Sequence, residues 1–379
     1  MSGGALREVL AEVYRPLLPG FFDVEAPREE KATCGNCAMC PPAGAAVSAS
    51  EEVAYFRPDA KCCTFHPLLP NYLVGAILSD ERADMAEGKR RVRERVELGL
   101  GVTPCWLSPP RKADMFLKAS RRHAFGRSLT LLCPYFERGQ GNCTIWRHRE
   151  SVCSTFFCKH DSGADGVAFW TSVRAYGVWL ENTLSSFAAQ GLIPGHTEAK
   201  PLSGDMTLEE LEDRAPAEAA RAAMWKGWRG REVEFYVRCF EAVRGLSREG
   251  FEELARDAAH EEWLGKMAAA REGMLRPKVP ERVMPNPEMT AEPGENGVLV
   301  VTYSRYEPLL LTRDLFEVVR AFEEEGTTSE VIERLRRERG VEVPEELLLG
   351  LCQFRVLVPR GEGGELLAGR GAVLVHPGS

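Results

Sequence analysis

The chain has 379 residues and a formal net charge of −8, which disfavours general nucleic-acid binding. Hydrophobic content of 44% and charged content of 27% fit an ordinary globular protein, long enough for two or three domains at ~100–200 residues each. No run of ~18 uncharged apolar residues is present to span a membrane. The N-terminal Met-Ser-Gly-Gly-Ala-Leu-Arg-Glu lacks the basic-then-apolar layout of a signal peptide, so the cytoplasm is the expected location. In that reducing compartment, twelve cysteines point to metal sites rather than disulfides.

In chain order, Leu6–Arg15 predicts a short amphipathic helix stopped by Pro16. Cys34, Cys37 and Cys40 follow at C-x-x-C-x-x-C spacing, a thiolate density that suits a soft metal or an iron–sulfur cluster. The fourth cysteine of a ferredoxin loop would stand where this chain has Gly44, so that loop is incomplete. Lys61-Cys62-Cys63-Thr-Phe-His66 adds an adjacent thiol pair that can point in different directions or serve two centres, and His66 reads as structural. Asn71–Leu98 reads as helical, Gly101–Pro110 as a break, Lys112–Phe125 as a helix and Ser128–Leu132 as a strand. The basic stretches Lys89–Arg95 and Arg111–Arg127 read as solvated helix faces, with a docking patch for an acidic partner as the other reading. Cys105, Cys239 and Cys352 read as packing residues.

The densest stretch runs from Cys133 to His160. The turn composition Arg138-Gly-Gln-Gly-Asn142 lets Cys133 and Cys143 approach each other, and Cys153 and Cys158 close on the same centre. The expected ligands are Cys34, Cys37, Cys40, Cys62, Cys63, Cys133, Cys143, Cys153 and Cys158. One tetranuclear 4Fe-4S cluster uses four of them, two use eight, and structural zinc uses four thiolates or three with an imidazole. Spacing leaves these open, while the excess of cysteine over histidine favours iron–sulfur. His123, His148 and His160 are the acid–base candidates, with His148 read as a surface residue whose proton affinity Arg147 and Arg149 hold down.

Cys133…Cys143-Thr-Ile-Trp-Arg-His-Arg149-Glu-Ser-Val-Cys153, with the upstream Cys-x-x-Cys-x-x-Cys, resembles the YkgJ-type cysteine-cluster family of zinc- or iron-chelating domains. The match falls on Cys34, Cys37, Cys40, Cys133, Cys143, Ile145, Arg149, Cys153 and Phe156. Trp146 replaces a tyrosine, Glu150 a proline and Ser154 an arginine, and the adjacent cysteine pair is displaced to Cys62-Cys63. The resemblance implies a metal centre over roughly residues 30–160, with Arg149 hydrogen-bonding a cluster sulfide, a thiolate or a loop carbonyl. Flagellin lysine N-methylases carry a similar cysteine cluster, which implies a modifying enzyme as one reading. No glycine-rich loop after a strand is visible to hold a methyl donor.

Beyond the cysteines, Phe169, Trp170, Val173, Tyr176, Leu180, Leu184 and Phe187 recur at helical spacing, and Thr207-x-x-Glu210 is a capping box. Helical pattern continues to about Arg271. A stretch with Pro277, Pro280, Pro285, Pro287 and Pro293 reads as a linker. After it, Val298–Tyr303 and Glu307–Leu311 predict a hairpin, Arg313–Glu324, Ser329–Arg339 and Pro344–Gln353 three helices, and Arg355–Pro359 a closing strand. Leu309-Leu-Leu311-Thr-Arg-Asp-Leu-Phe316, Thr327-Thr-Ser-Glu-Val-Ile332 and Phe354-Arg-Val-Leu-Val-Pro359 resemble the PqqD-like winged-helix fold, which implies a protein or peptide partner. The acidic Glu323-Glu-Glu325 favours that partner over DNA.

The expected fold is mainly α with irregular metal-stabilised loops and a small α+β winged-helix-like C-terminal domain. Its expected divisions are a cysteine domain (1–165), a helical domain (166–276), a linker (277–295) and the last domain (296–379). Three functions follow. The first is an iron–sulfur protein for redox, sensing or accessory roles in modifying a protein or peptide; the others are a zinc-stabilised interaction module and a cluster-containing modifying enzyme.

Overall fold

The computed structural model describes residues 4–360 apart from 32–33, 36, 41–54, 198–201, 203 and 257; Gly44 and the segment 361–379 of the expected last domain lie outside them. The described chain is mainly α-helical, with small open sheets that are most developed towards the C-terminus. None of its helices is long and apolar enough to cross a membrane.

The N-terminal stretch read as one helix forms two single 3-10 turns, Leu6–Glu8 and Glu12–Tyr14. Leu6, Val9, Leu10, Tyr14, Leu17 and Leu18 are all buried, so apolar burial runs around the segment and the chain wraps onto the core instead of presenting one helical face. Strand β1 (Leu69–Pro70) leads into helix α1 (Asn71–Ser79). A 3-10 turn at Ala83–Met85 interrupts the helical pattern before α2 (Ala86–Leu98), which ends at Gly99 in the left-handed conformation. Strand β2 (Trp106–Leu107) pairs antiparallel with β1 and precedes α3 (Arg111–Ala124). Leu129–Leu131, expected as a strand, is a 3-10 turn. The turn around Gly141 closes strands β3 (Phe136–Glu137) and β4 (Asn142–Cys143), with Cys143 opposite Phe136.

A one-turn helix α4 (Ser151–Ser154) and the long α5 (Gly163–Leu192) follow. The stripe from Phe169 to Leu184 on α5 is wholly buried, as its spacing predicts. Helices α6 (Leu208–Leu211), α7 (Glu218–Trp225), α8 (Glu232–Arg244), α9 (Arg248–Leu254) and α10 (Ala258–Leu275) complete this part, and Thr207 and Glu210 form the expected capping box. Helices α1, α5, α8 and α10 pack together. One apolar core runs from Leu6 to Met274, drawing on both stretches expected as separate domains.

At the centre of that core Asn71 Nδ2 donates to the carbonyls of Pro104 and Ser185, both at 2.9 Å, and its Oδ1 accepts from the Tyr72 N–H at 2.7 Å. The side chain is fully buried. Asn71→Ala leaves two carbonyls without these donors, and denaturant unfolding should show a loss of about 2 kcal/mol.

A second core spans Val283–Leu357. Strands β5 (Val283–Pro285) and β6 (Thr290–Gly294) fall within the stretch expected as a linker. Strand β6 extends the expected hairpin of β7 (Gly297–Val301) and β8 (Leu309–Leu311) into the sheet order β6-β7-β8. Helices α11 (Arg313–Arg320), α12 (Thr328–Arg339) and α13 (Glu345–Gln353) follow, and β9 (Leu357–Pro359) returns to pair with β5.

One buried acid, Glu307, joins the second part to the first, beside another, Glu29, that is bonded within the first. Glu29 accepts from Trp170 Nε1 at 2.7 Å and from the Asp161 N–H at 2.8 Å. Glu307, on the loop between β7 and β8, accepts from the His160 N–H at 3.1 Å, from Lys31 Nζ at 3.1 Å and from the Tyr303 hydroxyl. On the same loop, Tyr306 packs against Phe56 and Phe125, with ring centroids 5.6 and 6.1 Å apart.

Candidate thiol site

The cysteine segments meet where α3 and the β7–β8 loop cover a small apolar cluster. Met39, Phe56, Leu117, Ala124, Phe125, Leu131 and Tyr306 form it, and Cys37, Cys40, Cys62 and Cys158 pack against it. Cys63 and Cys143 lean on the main core, and Cys133 is buried within it.

Backbone polarity and one lysine place these segments. The Cys40 N–H donates to the Cys37 carbonyl at 2.9 Å, closing a tight turn, and the Cys133 N–H donates to the Cys63 carbonyl at 2.8 Å. Lys61 Nζ donates to the carbonyls of Cys34 at 2.8 Å and Gly141 at 2.7 Å, pinning the first cysteine run to the β3–β4 turn. His66 Nε2 lies 3.0 and 3.1 Å from the carbonyls of Leu131 and Leu132, a structural role. Glu150, which stands where the resembled family has proline, caps α4 by accepting from the N–H groups of Val152 and Cys153. The Arg149 guanidinium lies 3.4 Å from the Trp146 ring centroid and donates to the carbonyls of Trp146 and Cys153, each at 3.2 Å.

The thiols feel one another. Cys34 is exposed as a residue, yet burial of its sulfur and the nearby Cys62 push its pKa up to about 11. Burial and the hydrogen-bonded Cys37 thiol push Cys40 up to about 12. Cys62 is raised first by its hydrogen bond with Cys63 and then by burial. Burial leads the upward shifts of Cys133, Cys143, Cys153 and Cys158, with neighbouring Cys thiols adding to each. The Arg149 charge pulls Cys34, Cys62 and Cys143 the other way without overcoming burial. At neutral pH these shifted groups are protonated thiols.

Among the described residues no three His, Cys, Asp or Glu side chains are disposed to hold a metal ion. That overturns the expected 4Fe-4S or zinc centre at Cys34, Cys37, Cys40, Cys62, Cys63, Cys133, Cys143, Cys153 and Cys158. The metal-stabilised loops, the YkgJ-type and PqqD-like resemblances and the three cluster-based functions fall with it. The physical reason is visible in the hydrogen bonding. Metal ligands are thiolates aimed at a common point, whereas these thiols pair off, Cys37 with Cys40, Cys62 with Cys63, and Cys153 with the Glu150 carboxylate. Lys61, the Glu150 cap and backbone bonds hold the loops instead.

The histidines also differ from expectation. His148 is buried, not a surface group, with Nε2 2.8 Å from Asp80 Oδ2. Burial lowers its pKa more than Asp80 raises it. His160 is buried beside Glu29, 3.4 Å from its carboxylate, while His123 is exposed on α3. Cys105 and Cys239 are core residues, and Cys352 is half-buried. Lys61 carried no signal in the sequence, because a lone lysine beside cysteines does not disclose which distant carbonyls it reaches. No family model matches the chain, and neither the curated proteins nor the solved structures include a match.

Proposed function

We propose that this chain is a dithiol redox module that passes two electrons to a disulfide in a protein or peptide partner. The observation that carries the reading is the Cys37–Cys40 pair, which stands at the two ends of a turn closed by a 2.9 Å backbone bond from the Cys40 N–H to the Cys37 carbonyl. A four-residue turn brings its end Cα atoms within ~7 Å, the range a disulfide bridges. Both cysteines are half-buried rather than sealed, so a partner sulfur has access.

In the proposed step, one thiol of the pair loses its proton and attacks a partner sulfur. A mixed disulfide forms and the partner's other sulfur leaves, taking up a proton. The second thiol then attacks the mixed disulfide, closing Cys37–Cys40 and releasing the remaining partner thiol. Two thiols are oxidised, one disulfide is reduced, and two protons pass to the partner sulfurs.

The direction follows from the protonation state. Oxidising dithiols owe their high potentials to a stabilised thiolate in the reduced form. Cys40, pushed up to about 12, gives the reduced form no such help, so the pair acts as a donor. The partner is engaged by the C-terminal unit, whose β7–β8 loop reaches through Tyr306 into the apolar cluster against which Cys37 and Cys40 also pack. The acidic Glu323-Glu324-Glu325 favours a protein or peptide over nucleic acid there.

The test is equilibration of the full chain in dithiothreitol redox buffers, followed by acid trapping, alkylation and peptide mapping. A Cys37–Cys40 disulfide should form with a potential at or below ~−270 mV, the region of thioredoxin. Cys37→Ser should abolish both that disulfide and reduction of a model peptide disulfide. If Cys37 and Cys40 stay alkylatable even in oxidised glutathione, the reading fails.

A further inference from the structure

A cleft of about 490 Å³, with no cysteine in its wall, lies where the C-terminal ends of α1 and α8 meet the first segment of the chain. Val13, Leu17, Ala76, Phe240 and Val243 give it an apolar wall. Six ionisable side chains also line it, Glu12, Asp80, Glu81, Arg82, His148 and Arg244.

Four of the six satisfy one another. Arg82 pairs with Asp80 at 2.6 Å and with Glu12 at 3.2 Å, and His148 Nε2 lies 2.8 Å from Asp80 Oδ2. The other two, Glu81 and Arg244, are exposed, and neither has an ion-pair partner among the described residues. The Arg244 guanidinium lies 5.2 Å from the Phe240 ring centroid, which keeps it beside the apolar wall. Glu81 follows the end of α1 at Ser79, whose last carbonyls add partial negative charge on that side. The cleft therefore offers an acid, a base and an apolar surface that no described ion pair uses up.

We infer that this cleft binds a small zwitterion with an apolar body, of which a hydrophobic α-amino acid is the simplest form. Its ammonium meets Glu81, its carboxylate meets Arg244, and its side chain lies against Leu17, Phe240 and Val243. The planar guanidinium suits a two-pronged contact with a carboxylate. A ligand with one charge would leave the other group unanswered, and an uncharged one would leave both. The volume falls in the range of small-ligand pockets, ~300–1,000 Å³. This inference stands apart from the thiol chemistry.

Calorimetric titration of the full chain with L-phenylalanine, phenethylamine and 3-phenylpropionate tests it. The second probe lacks the carboxylate and the third lacks the ammonium. Saturable binding of L-phenylalanine is expected, with each single-charge probe weaker by about tenfold or more. Glu81→Gln and Arg244→Gln, both at exposed positions where substitution barely disturbs folding, should each weaken L-phenylalanine binding by about tenfold. The inference is overturned if L-phenylalanine does not bind at millimolar concentration, if either single-charge probe binds as tightly, or if either variant binds L-phenylalanine like the parent.

Discussion

Gly75→Ala should cost about 4 kcal/mol or more in chemical denaturation, enough to leave much of the chain unfolded at ambient temperature. Helices α1 and α8 cross at Gly75, where an added Cβ would lie 1.9 Å from the Tyr236 carbonyl oxygen and 2.8 Å from Phe240 Cβ. The obstructing atoms are backbone, so no rotamer change relieves the clash, and the helices must separate by roughly 1 Å or more to regain van der Waals distance. Separation would loosen Tyr236, Phe235 and Cys239, all fully buried on α8. Gly191→Ala, near the end of α5 with nothing within 4 Å of the new methyl, is the control. It should be neutral or stabilise by up to ~1 kcal/mol through helix propensity. Equal effects at the two positions would disprove the close crossing.

The second large effect is a loss of stability as pH rises through neutrality. Glu181 on α5 is fully enclosed, and its Oε1 accepts from the Tyr14 hydroxyl at 2.7 Å, the Ser151 N–H at 2.7 Å and the Ser151 hydroxyl at 2.8 Å. Burial first, then the nearby Glu150 charge, push its pKa from the ordinary 4.5 up to about 8. The folded state therefore holds a proton that the unfolded chain releases near 4.5. This contribution is complete below that value and fades as pH climbs to about 8, at roughly 1.4 kcal/mol per pH unit.

Glu150, also raised from 4.5 by burial, adds a fall of the same sign, and the remaining groups act mostly outside the window. His66 and His148 are lowered from 6.5 by burial, so their destabilising influence is confined below that pH. Asp80 is lowered from 3.8 and acts only in acid. The raised thiols enter near their ordinary 9.0. Between pH 6.5 and 8 unfolding free energy should fall by about 2 kcal/mol. Glu181→Gln should flatten the slope, and a wild-type profile already flat there would refute a protonated Glu181.

How legible this was in the sequence depended on the range of the interactions. The α5 stripe, the Thr207–Glu210 cap and the β7–β8 hairpin are set by residues a few positions apart, and their patterns were readable. The 3-10 turns of the first segment were not, since Leu6, Val9 and Tyr14 are buried in a core with distant members, among them Tyr72, which Tyr14 touches, and Tyr176, which Phe22 touches. The cysteine reading failed for a related reason. Spacing reveals which thiols are close along the chain, but their ionisation depends on burial by Phe56, Phe125 and Tyr306, drawn from three separated stretches. His148 shows the same effect, because Asp80, 68 positions away, draws it inward.

The grip of Glu307 and Tyr306 on the first core changes what the connecting peptide between α10 and β5 has to do. Two parts that dock by a buried acid, an aromatic cluster and the Lys31–Glu307 pair form an interface in their own right. The covalent link mainly raises their effective concentration for each other. A single protease nick at Arg276 or Lys278 should therefore leave the fragments migrating together on a sizing column and separating only in denaturant. The same docking would let a fragment carrying the second core rejoin one carrying the first, so the chain could be assembled from two separately produced pieces.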